Sequence, residues 1–206
     1  MYNFAEENEA AKPLCACQQK YTFLENEKVS EILCSQQAIA TRVKELAAEI
    51  NRDYAGKTIL LLGTLTGSTI FFADLARELT LDVQIDFIKV SSYGAGTESS
   101  GTVKIDYEPL LKLENRHVVI VEDIIDTGHT AVFLRDYFKN KNVASIALCA
   151  LLNKPERREV ENLTCEYLGF TIENKFVVGY GLDYDQRYRN LPYVGVLELA
   201  GNQEVL

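Results

Sequence analysis

The segment Val118–Thr130 constrains the fold of this chain more than any other, because it combines a strand, three acids and a helix start. Its first residues, Val118–Val121, are β-branched and apolar, which predicts a strand buried on both faces. Glu122 and Asp123 follow that strand directly, and Asp126 comes three residues later. After a Thr-Gly-His-Thr turn, apolar residues recur at helical spacing: Ala131, Val132, Leu134 and Phe138. Ligands bind at the carboxyl ends of strands in open α/β sheets, and helix N-termini bind anions, so the segment predicts a phosphate site.

The three carboxylates beside this turn indicate a function besides phosphate binding, since negative charges repel phosphate. They suit the hydroxyls of a sugar, a divalent cation, or a proton taken from a substrate. A phosphorylated sugar would meet the first of these needs directly. The alternative interpretation is an ordinary strand–turn–helix unit whose Asp and Thr residues only cap the helix, and the motif alone does not decide between the two.

The bulk properties favour a single globular domain with a substantial core. The chain has 206 residues, of which 47% are hydrophobic and 25% are charged. Its longest apolar run, Ile146–Leu152, is far shorter than the ~20 residues of a membrane helix, and residues 1–11 lack the apolar segment of a secretory signal. The net charge of −9 argues against a sequence-independent nucleic-acid surface. We therefore expect neither a membrane nor a nucleic acid as partner.

The five cysteines indicate a reducing compartment. Their number is odd and they are scattered along the chain, and Cys15 and Cys17 form a Cys-x-Cys pair without a cluster that would complete a zinc site. A cytoplasmic location is the simplest expectation.

The first part of the chain predicts an extension, two helices and a strand. Residues 1–28 are acidic and lack sustained periodicity, which is typical of a segment outside the core. From the N-cap residue Ser35 to Gly56, apolar positions repeat at helical spacing: Ile39, Val43, Leu46, Ala47, Ile50 and Tyr54. Thr58–Leu65 predicts a buried strand and leads into a glycine-containing turn that lacks the spacing and the lysine of an ATPase P-loop. A second helix is predicted over Ile70–Leu79, with core residues Ile70, Phe71, Ala73, Leu75 and Leu79.

The rest of the chain predicts four more strands and two segments that could contribute to a binding site. The strands are Val83–Val90, Val103–Tyr107, Ala144–Leu152 and Tyr193–Leu197. Residues 91–101 are small or polar around a single tyrosine, which is typical of a long loop, and such loops are often lids. The aromatic-rich segment Phe176–Asp185 offers a ring that could stack on a flat base and a carboxylate that could hold a metal ion.

These segments together resemble the type I phosphoribosyltransferases and, more narrowly, the hypoxanthine-guanine (6-oxopurine) phosphoribosyltransferases. The resemblance covers the chain from about Ser30 to Leu197, and Val118–Thr130 resembles the family's loop for phosphoribosyl diphosphate (PRPP). It implies an α/β fold with a mainly parallel twisted sheet flanked by helices and a small hood subdomain from the chain ends. It divides the chain into an extension (1–28) and one domain (29–206), with a core of about 36–155 and a hood from about 29–35 and 156–206.

The resemblance also implies a role for individual residues. PRPP and its 5-phosphate would be bound by Glu122, Asp123, Thr127, Gly128, His129 and Thr130. Pyrophosphate would be bound by Thr66, Gly67 and Arg189, and the purine by Lys154, Phe176, Val177 and Asp183. Mg²⁺ would be held by Glu122, Asp123 and Asp183. Ser92 and Tyr93 would close over the site as a lid, and Asp126 would take up the proton that leaves the purine ring. The family usually has Lys-Gly where this chain has Thr66-Gly67, so a backbone contribution survives there but the lysine charge is missing.

The reaction that the resemblance implies is transfer of 5-phosphoribosyl from PRPP to N9 of hypoxanthine or guanine, giving IMP or GMP and pyrophosphate. Lys154 would donate to the 6-oxo group, which disfavours adenine and pyrimidines. A homodimer or homotetramer is implied as well. Two alternatives stay open: a xanthine-preferring transferase, and a regulator that senses PRPP or purines and binds nucleic acid without catalysis.

Overall fold

The structure is a computed structural model that describes residues 21–24, 27–92 and 103–199. Most of the predicted extension, with Cys15 and Cys17, and the lid residue Tyr93 lie outside the described residues. In chain order the elements are β1 (Glu27–Cys34), α1 (Gln36–Asp53), β2 (Thr58–Leu65), α2 (Thr69–Glu78), β3 (Asp82–Ser92), β4 (Val103–Tyr107), β5 (His117–Ile125), α3 (His129–Lys139), β6 (Ser145–Asn153), a 3-10 turn (Pro155–Arg157), β7 (Tyr167–Thr171), β8 (Val177–Val178) and β9 (Val194–Leu199).

A six-stranded sheet in the order β4-β3-β2-β5-β6-β7 forms the centre of the fold. Its strands are parallel except for β4, which pairs antiparallel with β3. The predicted lid segment lies between β3 and β4 in the sequence. The mainly parallel sheet is as predicted. Because β2 and β5 are adjacent and parallel, their carboxyl ends lie side by side, and the turns that follow them face a common space.

The helices cover both faces of this sheet. Helix α1 begins where the sequence predicted it, because the Ser35 hydroxyl accepts the N–H of Ala38 at 3.2 Å. Residues alternate along each strand, so that Leu61 and Val119 pack toward α1 and α2, whereas Leu60 packs on the opposite face, with α3. Both faces of β2 and β5 are therefore dry, which explains their unbroken apolar sequences.

Helix α2 departs from the prediction at one core position. Ala73 is exposed, and Phe72 is buried against Phe87, with ring centroids 4.9 Å apart. Ala73 lies two residues after the buried Phe71 and is therefore turned by about 200° around the helix axis, toward solvent. The helical phase decides which of these apolar residues reaches the core.

The chain ends form a second, antiparallel sheet in the order β1-β9-β8, which is the small hood subdomain implied by the family resemblance. Strand β1 was not predicted, and it includes Glu27 and Lys28, which the sequence assigned to the extension. Glu27 is buried, and its carboxylate accepts hydrogen bonds from Tyr188 and Arg187, which offset the cost of burying the charge. The division of the chain at residue 28 stays a prediction.

Strand β7 (Tyr167–Thr171) was also missed, because its short sequence alternates poorly. It pairs with β6 at the edge of the central sheet. A hydrogen bond joins it to α1, because the guanidinium of Arg42 donates to the Leu168 carbonyl at 2.8 Å. Among the described residues, no helix is long and apolar enough to cross a membrane.

Candidate active site

A cavity of about 390 Å³ lies at the carboxyl ends of β2 and β5. The predicted site residues that line it are Thr66, Gly67, Glu122, Asp123, Asp126, Thr127, Gly128, Thr130, Asp183 and Arg189. They come from three separate stretches of sequence. A second cavity of about 410 Å³ lies between α1, α2 and the loop around Leu191, and it contains none of the predicted site residues. The chemistry is therefore concentrated in the first cavity.

Glu122 is the most deeply buried acid of the site, with 6% of its surface exposed. Its Oε2 lies 2.6 Å from the hydroxyl of Thr64 on β2, and that hydroxyl lies 2.9 Å from the Val121 carbonyl. The hydroxyl has one proton; when it donates to the carbonyl, Glu122 must be protonated to complete the chain. Burial, and then the charge of Asp123, raise the pKa of Glu122 to about 8, against a smaller opposing effect of the Thr64 hydrogen bond. Burial beside Asp123 therefore favours the protonated form of Glu122.

Asp123 also lines the cavity, and it differs from Glu122 because the positive charge of Arg189 acts on it. Burial raises its pKa, the N–H groups of Ile124 and of Asp123 itself lower it, and Arg189 lowers it further while Asp183 raises it. Its Oδ1 accepts the N–H of Ile124 at 2.9 Å. A Cβ placed on Gly67 would overlap its Oδ2, so the turn after β2 lies directly against this carboxylate.

Arg189 and Asp183 enter the cavity from the loop that follows β8. Nη2 of Arg189 lies 2.7 Å from Oδ1 of Asp183, and Nη1 donates to the Gly181 carbonyl at 2.7 Å. Gly181 has φ +106°, and a Cβ there would overlap the Gly67 carbonyl. The hydroxyl of Tyr180 donates to Asp74 on α2 at 2.6 Å. This loop is therefore held against both α2 and the turn after β2, which brings residues more than a hundred positions apart into one cavity.

The turn between β5 and α3 has the form of an anion site. Gly128 is the N-cap of α3 with φ +91°, a left-handed conformation that glycine adopts without steric cost. Helix α3 begins at His129, so its first N–H groups lack helical partners and the positive end of its dipole faces the turn. Thr127 and Thr130 line the cavity on either side and add hydroxyl groups. The arrangement suits a phosphate group.

The carboxylates also suit Mg²⁺, although they do not form a complete metal site. Glu122 Oε1 is buried and lacks a hydrogen-bond partner among the described residues, so it retains a lone pair for a cation. Within the described part of the chain, no group of three or more His, Cys, Asp or Glu side chains is close enough to hold a metal. Mg²⁺ is usually bound by one or two carboxylates together with substrate phosphates, and the residues present fit that pattern.

Among the described residues, five of the predicted site residues lie outside the lining of this cavity. Lys154 is buried after β6. Burial lowers the pKa of its amine, the charge of Asp126 raises it and the charge of Arg157 lowers it. Phe176 packs edge-on against Tyr184 at 5.8 Å, and Val177 is buried in β8. Ser92 ends β3.

His129 is the fifth of these residues, and its ring points away from the cavity. Its Nε2 lies 2.8 Å from Oε2 of Glu159, so the side chain pairs with the segment after β6. We still expect a phosphate contact from its backbone N–H alone, because that group is at the helix start.

Two residues of the site were missed by the sequence reasoning. Thr64 is a polar residue near the end of an apolar strand, and this position was a signal that it has a partner. Arg157 donates from Nε to Oδ1 of Asp126 at 3.2 Å. Its position shortly after Lys154 offered no comparable signal, because it reaches Asp126 only through the packing of the 3-10 turn against the end of β5, which is a tertiary feature.

The comparison with known families agrees with this geometry. Residues 29–185 match the family model described as the phosphoribosyl transferase domain, so the fold and the cavity define a phosphoribosyltransferase. The hypoxanthine-guanine phosphoribosyltransferase of Streptococcus pneumoniae (strain ATCC BAA-255 / R6) is 48% identical over 175 residues, which is 85% of this chain and 96% of that protein. The chain belongs to the hypoxanthine-guanine phosphoribosyltransferase family.

Solved structures show the same relationship. A hypoxanthine phosphoribosyltransferase from Staphylococcus aureus is 41% identical with a TM-score of 0.79, and the match covers 82% of this chain and 92% of that one. A hypoxanthine-guanine phosphoribosyltransferase from Bacillus anthracis, with a HEPES molecule in its active site, is 42% identical with a TM-score of 0.78. That match covers 84% of this chain and 99% of the other.

Proposed function

We propose that this chain is a purine salvage enzyme that transfers 5-phosphoribosyl from PRPP to N9 of hypoxanthine or guanine, giving IMP or GMP and pyrophosphate. The observation that carries the proposal is the cavity itself, in which an anion-binding helix start faces Asp126, Asp123 and Arg189. The family relationship supports the same conclusion, since the relatives named above are hypoxanthine and hypoxanthine-guanine phosphoribosyltransferases.

The two ends of PRPP are bound by different parts of the cavity. The turn from Thr127 to Thr130 holds the 5-phosphate through N–H groups and hydroxyls, as expected at a helix N-terminus. The backbone of Gly67 and the guanidinium of Arg189 receive the pyrophosphate, and a guanidinium can donate to two phosphate oxygens at once. Thr66 contributes only backbone there, because its position carries no lysine charge.

Glu122 and Asp123 act on the ribose. They bind its hydroxyls directly or through Mg²⁺, for which the candidate ligands are Glu122, Asp123 and Asp183. When bound, Mg²⁺ supplies positive charge that neutralises the departing pyrophosphate. The negative charge of Asp123 favours the oxocarbenium-like ribose that forms as the C1–O bond breaks. A dry environment strengthens that effect.

Asp126 and Lys154 act on the purine. A proton must leave the ring for N9 to become a nucleophile, and Asp126 accepts it at N7 as a general base. Lys154 donates to the 6-oxo group, and its amine stays within electrostatic reach of Asp126. Phe176 stacks on the purine face, and the backbone near Val177 and Asp183 contacts its Watson–Crick edge. Ser92 and Tyr93 belong to a lid that keeps water away from the reacting sugar.

The assembly and location belong to the same proposal. Copies of the chain would associate as a homodimer or homotetramer, as the family resemblance implies. We propose a cytoplasmic enzyme that uses small-molecule substrates, without a nucleic-acid or membrane partner.

The test is a spectrophotometric turnover assay with PRPP and Mg²⁺, run in parallel on hypoxanthine, guanine, xanthine and adenine. We expect turnover of hypoxanthine and guanine, abolished by EDTA, and no turnover of adenine. Preference for xanthine would favour the xanthine-specific alternative. Folded protein that binds PRPP but turns over none of the four bases would contradict the enzyme assignment, and salt-sensitive binding to DNA or RNA would then favour a regulator.

A further inference from the structure

The segment that follows β6 runs along the back of the phosphate-binding turn. The N–H of Lys154 donates to the Ile125 carbonyl at 2.9 Å, and the N–H of Glu159 donates to the Thr127 carbonyl at 3.0 Å. Two backbone hydrogen bonds therefore join this segment to the end of β5 and to the turn itself. We call residues 154–160 the supporting segment. The mechanism above uses only its first residue.

Arg158 is the residue of the supporting segment that lies against the turn. A Cβ placed on Gly128 would stand 2.8 Å from Nη1 of Arg158 and would overlap Cγ2 of Val160. The left-handed Gly128 is thus closely packed from behind by a guanidinium and a methyl group. Any shift of the Arg158 side chain would leave space into which the turn could relax.

The charge of Arg158 is not compensated. Nη2 donates to the side-chain carbonyl of Asn153, but Nη1 is buried and lacks a hydrogen-bond partner among the described residues. Arg157 and Arg189 each pair with a carboxylate of the cavity, Asp126 and Asp183 respectively. In the described part of the chain, Arg158 pairs with none. A buried donor without a hydrogen-bond partner has a desolvation cost, so the position of Nη1 behind the turn needs an explanation.

We propose that Arg158 is a positioning residue for the 5-phosphate, acting through Gly128. Its side chain holds the turn in the conformation in which the N–H groups of α3 face the cavity. Its unpaired positive charge adds to the dipole of α3 and favours an anion in front of the turn. This inference rests on the proposed function, because it concerns the phosphate of PRPP and of the nucleotide product.

The test compares ligands with and without the phosphate. Binding of IMP and of inosine is measured by calorimetry for the wild type, Arg158→Gln and Arg158→Lys. We expect Arg158→Gln to weaken IMP binding about tenfold or more, a rise of about one unit in log Kd, while the Kd of inosine changes by less than about twofold. Arg158→Lys keeps the charge but loses the planar guanidinium that donates to Asn153, so its affinity for IMP should lie between those of the wild type and Arg158→Gln. In steady-state kinetics the KM for PRPP should rise with little change in the KM for hypoxanthine.

Arg135 offers a matched control. Like Arg158, it is a half-buried arginine with one buried nitrogen that lacks a hydrogen-bond partner among the described residues. It joins α3 to the Thr164 carbonyl and to Glu166, away from the turn. We expect Arg135→Gln to lower the Tm without changing the ratio of IMP to inosine affinity. Equal losses for IMP and inosine in Arg158→Gln, or a lower Tm with an unchanged KM for PRPP, would overturn the proposal. Absence of turnover in the wild type would instead count against the proposed function.

Discussion

Gly67 lies so close to Asp123 that a single added carbon would occupy the position of the Asp123 carboxylate oxygen Oδ2. The turn after β2 and the acid at the end of β5 are therefore fitted to each other without spare room. Gly67→Ala must push apart the two groups that we assign to pyrophosphate and ribose. We expect kcat/KM for PRPP to fall about 10²-fold, since displacements near 1 Å at a catalytic site have effects of that size.

Gly56→Ala is the control for this variant. A Cβ at Gly56 would meet nothing within 4 Å, but its φ of +74° makes any other residue costly. We expect it to lower the free energy of unfolding by about 1–2 kcal/mol, the cost of a left-handed L-residue, and to leave turnover unchanged. Urea unfolding and initial rates measure the two quantities. Wild-type kinetics in Gly67→Ala would contradict the close fit.

Thr66→Ala tests whether this position works through its backbone alone. The Thr66 carbonyl accepts two hydrogen bonds from Thr69, one from its N–H at 3.2 Å and one from the Thr69 hydroxyl at 2.6 Å. Neither bond involves the Thr66 side chain. We expect turnover within about threefold of the wild type, well below the 10²-fold that a misplaced group costs. A much larger effect, seen as a rise in the KM for PRPP, would show that the hydroxyl takes over part of the role of the missing lysine.

Asp126→Asn tests the proton-transfer assignment. The amide keeps the shape of the side chain and can still contact Arg157, but it cannot accept a proton from the purine. We expect kcat to fall by about 10²–10⁴-fold, the usual contribution of a general base, with a much smaller rise in the KM for PRPP. The measurement is initial rates at varied PRPP with saturating hypoxanthine. Equal changes in kcat and KM, or near-wild-type turnover, would refute a role as base.

Glu122 should make the stability of the metal-free protein depend on pH. Its pKa is raised from 4.5 to about 8 in the folded state. An acid with a raised folded pKa contributes its full stability below the unfolded pKa and loses it as the pH rises through the folded pKa. The wild type should therefore lose stability between about pH 5 and about pH 9. Glu122→Gln, which never ionises, should have a similar Tm at the low end and a higher Tm at the high end.

Scanning calorimetry without metal or PRPP measures this difference. Glu45→Gln, on the exposed face of α1, is the control and should retain the pH dependence of the wild type. Parallel curves for the wild type and Glu122→Gln would mean that Glu122 is already ionised in the folded protein near pH 7.

Long periodic segments allowed the core of the fold to be predicted. Helix α1 with its Ser35 cap and strand β2 (Thr58–Leu65) have the predicted positions, because an unbroken apolar pattern and a side-chain cap act locally. Strand β1 escaped prediction because it is partly exposed and its pairing with β9 is irregular, and β7 because it is short and partly exposed. They are stabilised by distant partners, β9 and β6 respectively. The wrong placement of Ala73 in the core shows the same limit on a smaller scale.

The carboxylates, glycines and threonines of the cavity were identifiable from the sequence, because the chemistry of phosphate, sugar and metal requires those residue types at strand ends. Local sequence patterns therefore specified the mainly parallel sheet, the family and most of the residues around the cavity. The pairing of Glu122 with Thr64, the pairing of Asp183 with Arg189 and the packing of Arg158 against Gly128 became visible only in the folded chain. Burial and charge pairing depend on which distant segments pack together, and local patterns do not encode those distances.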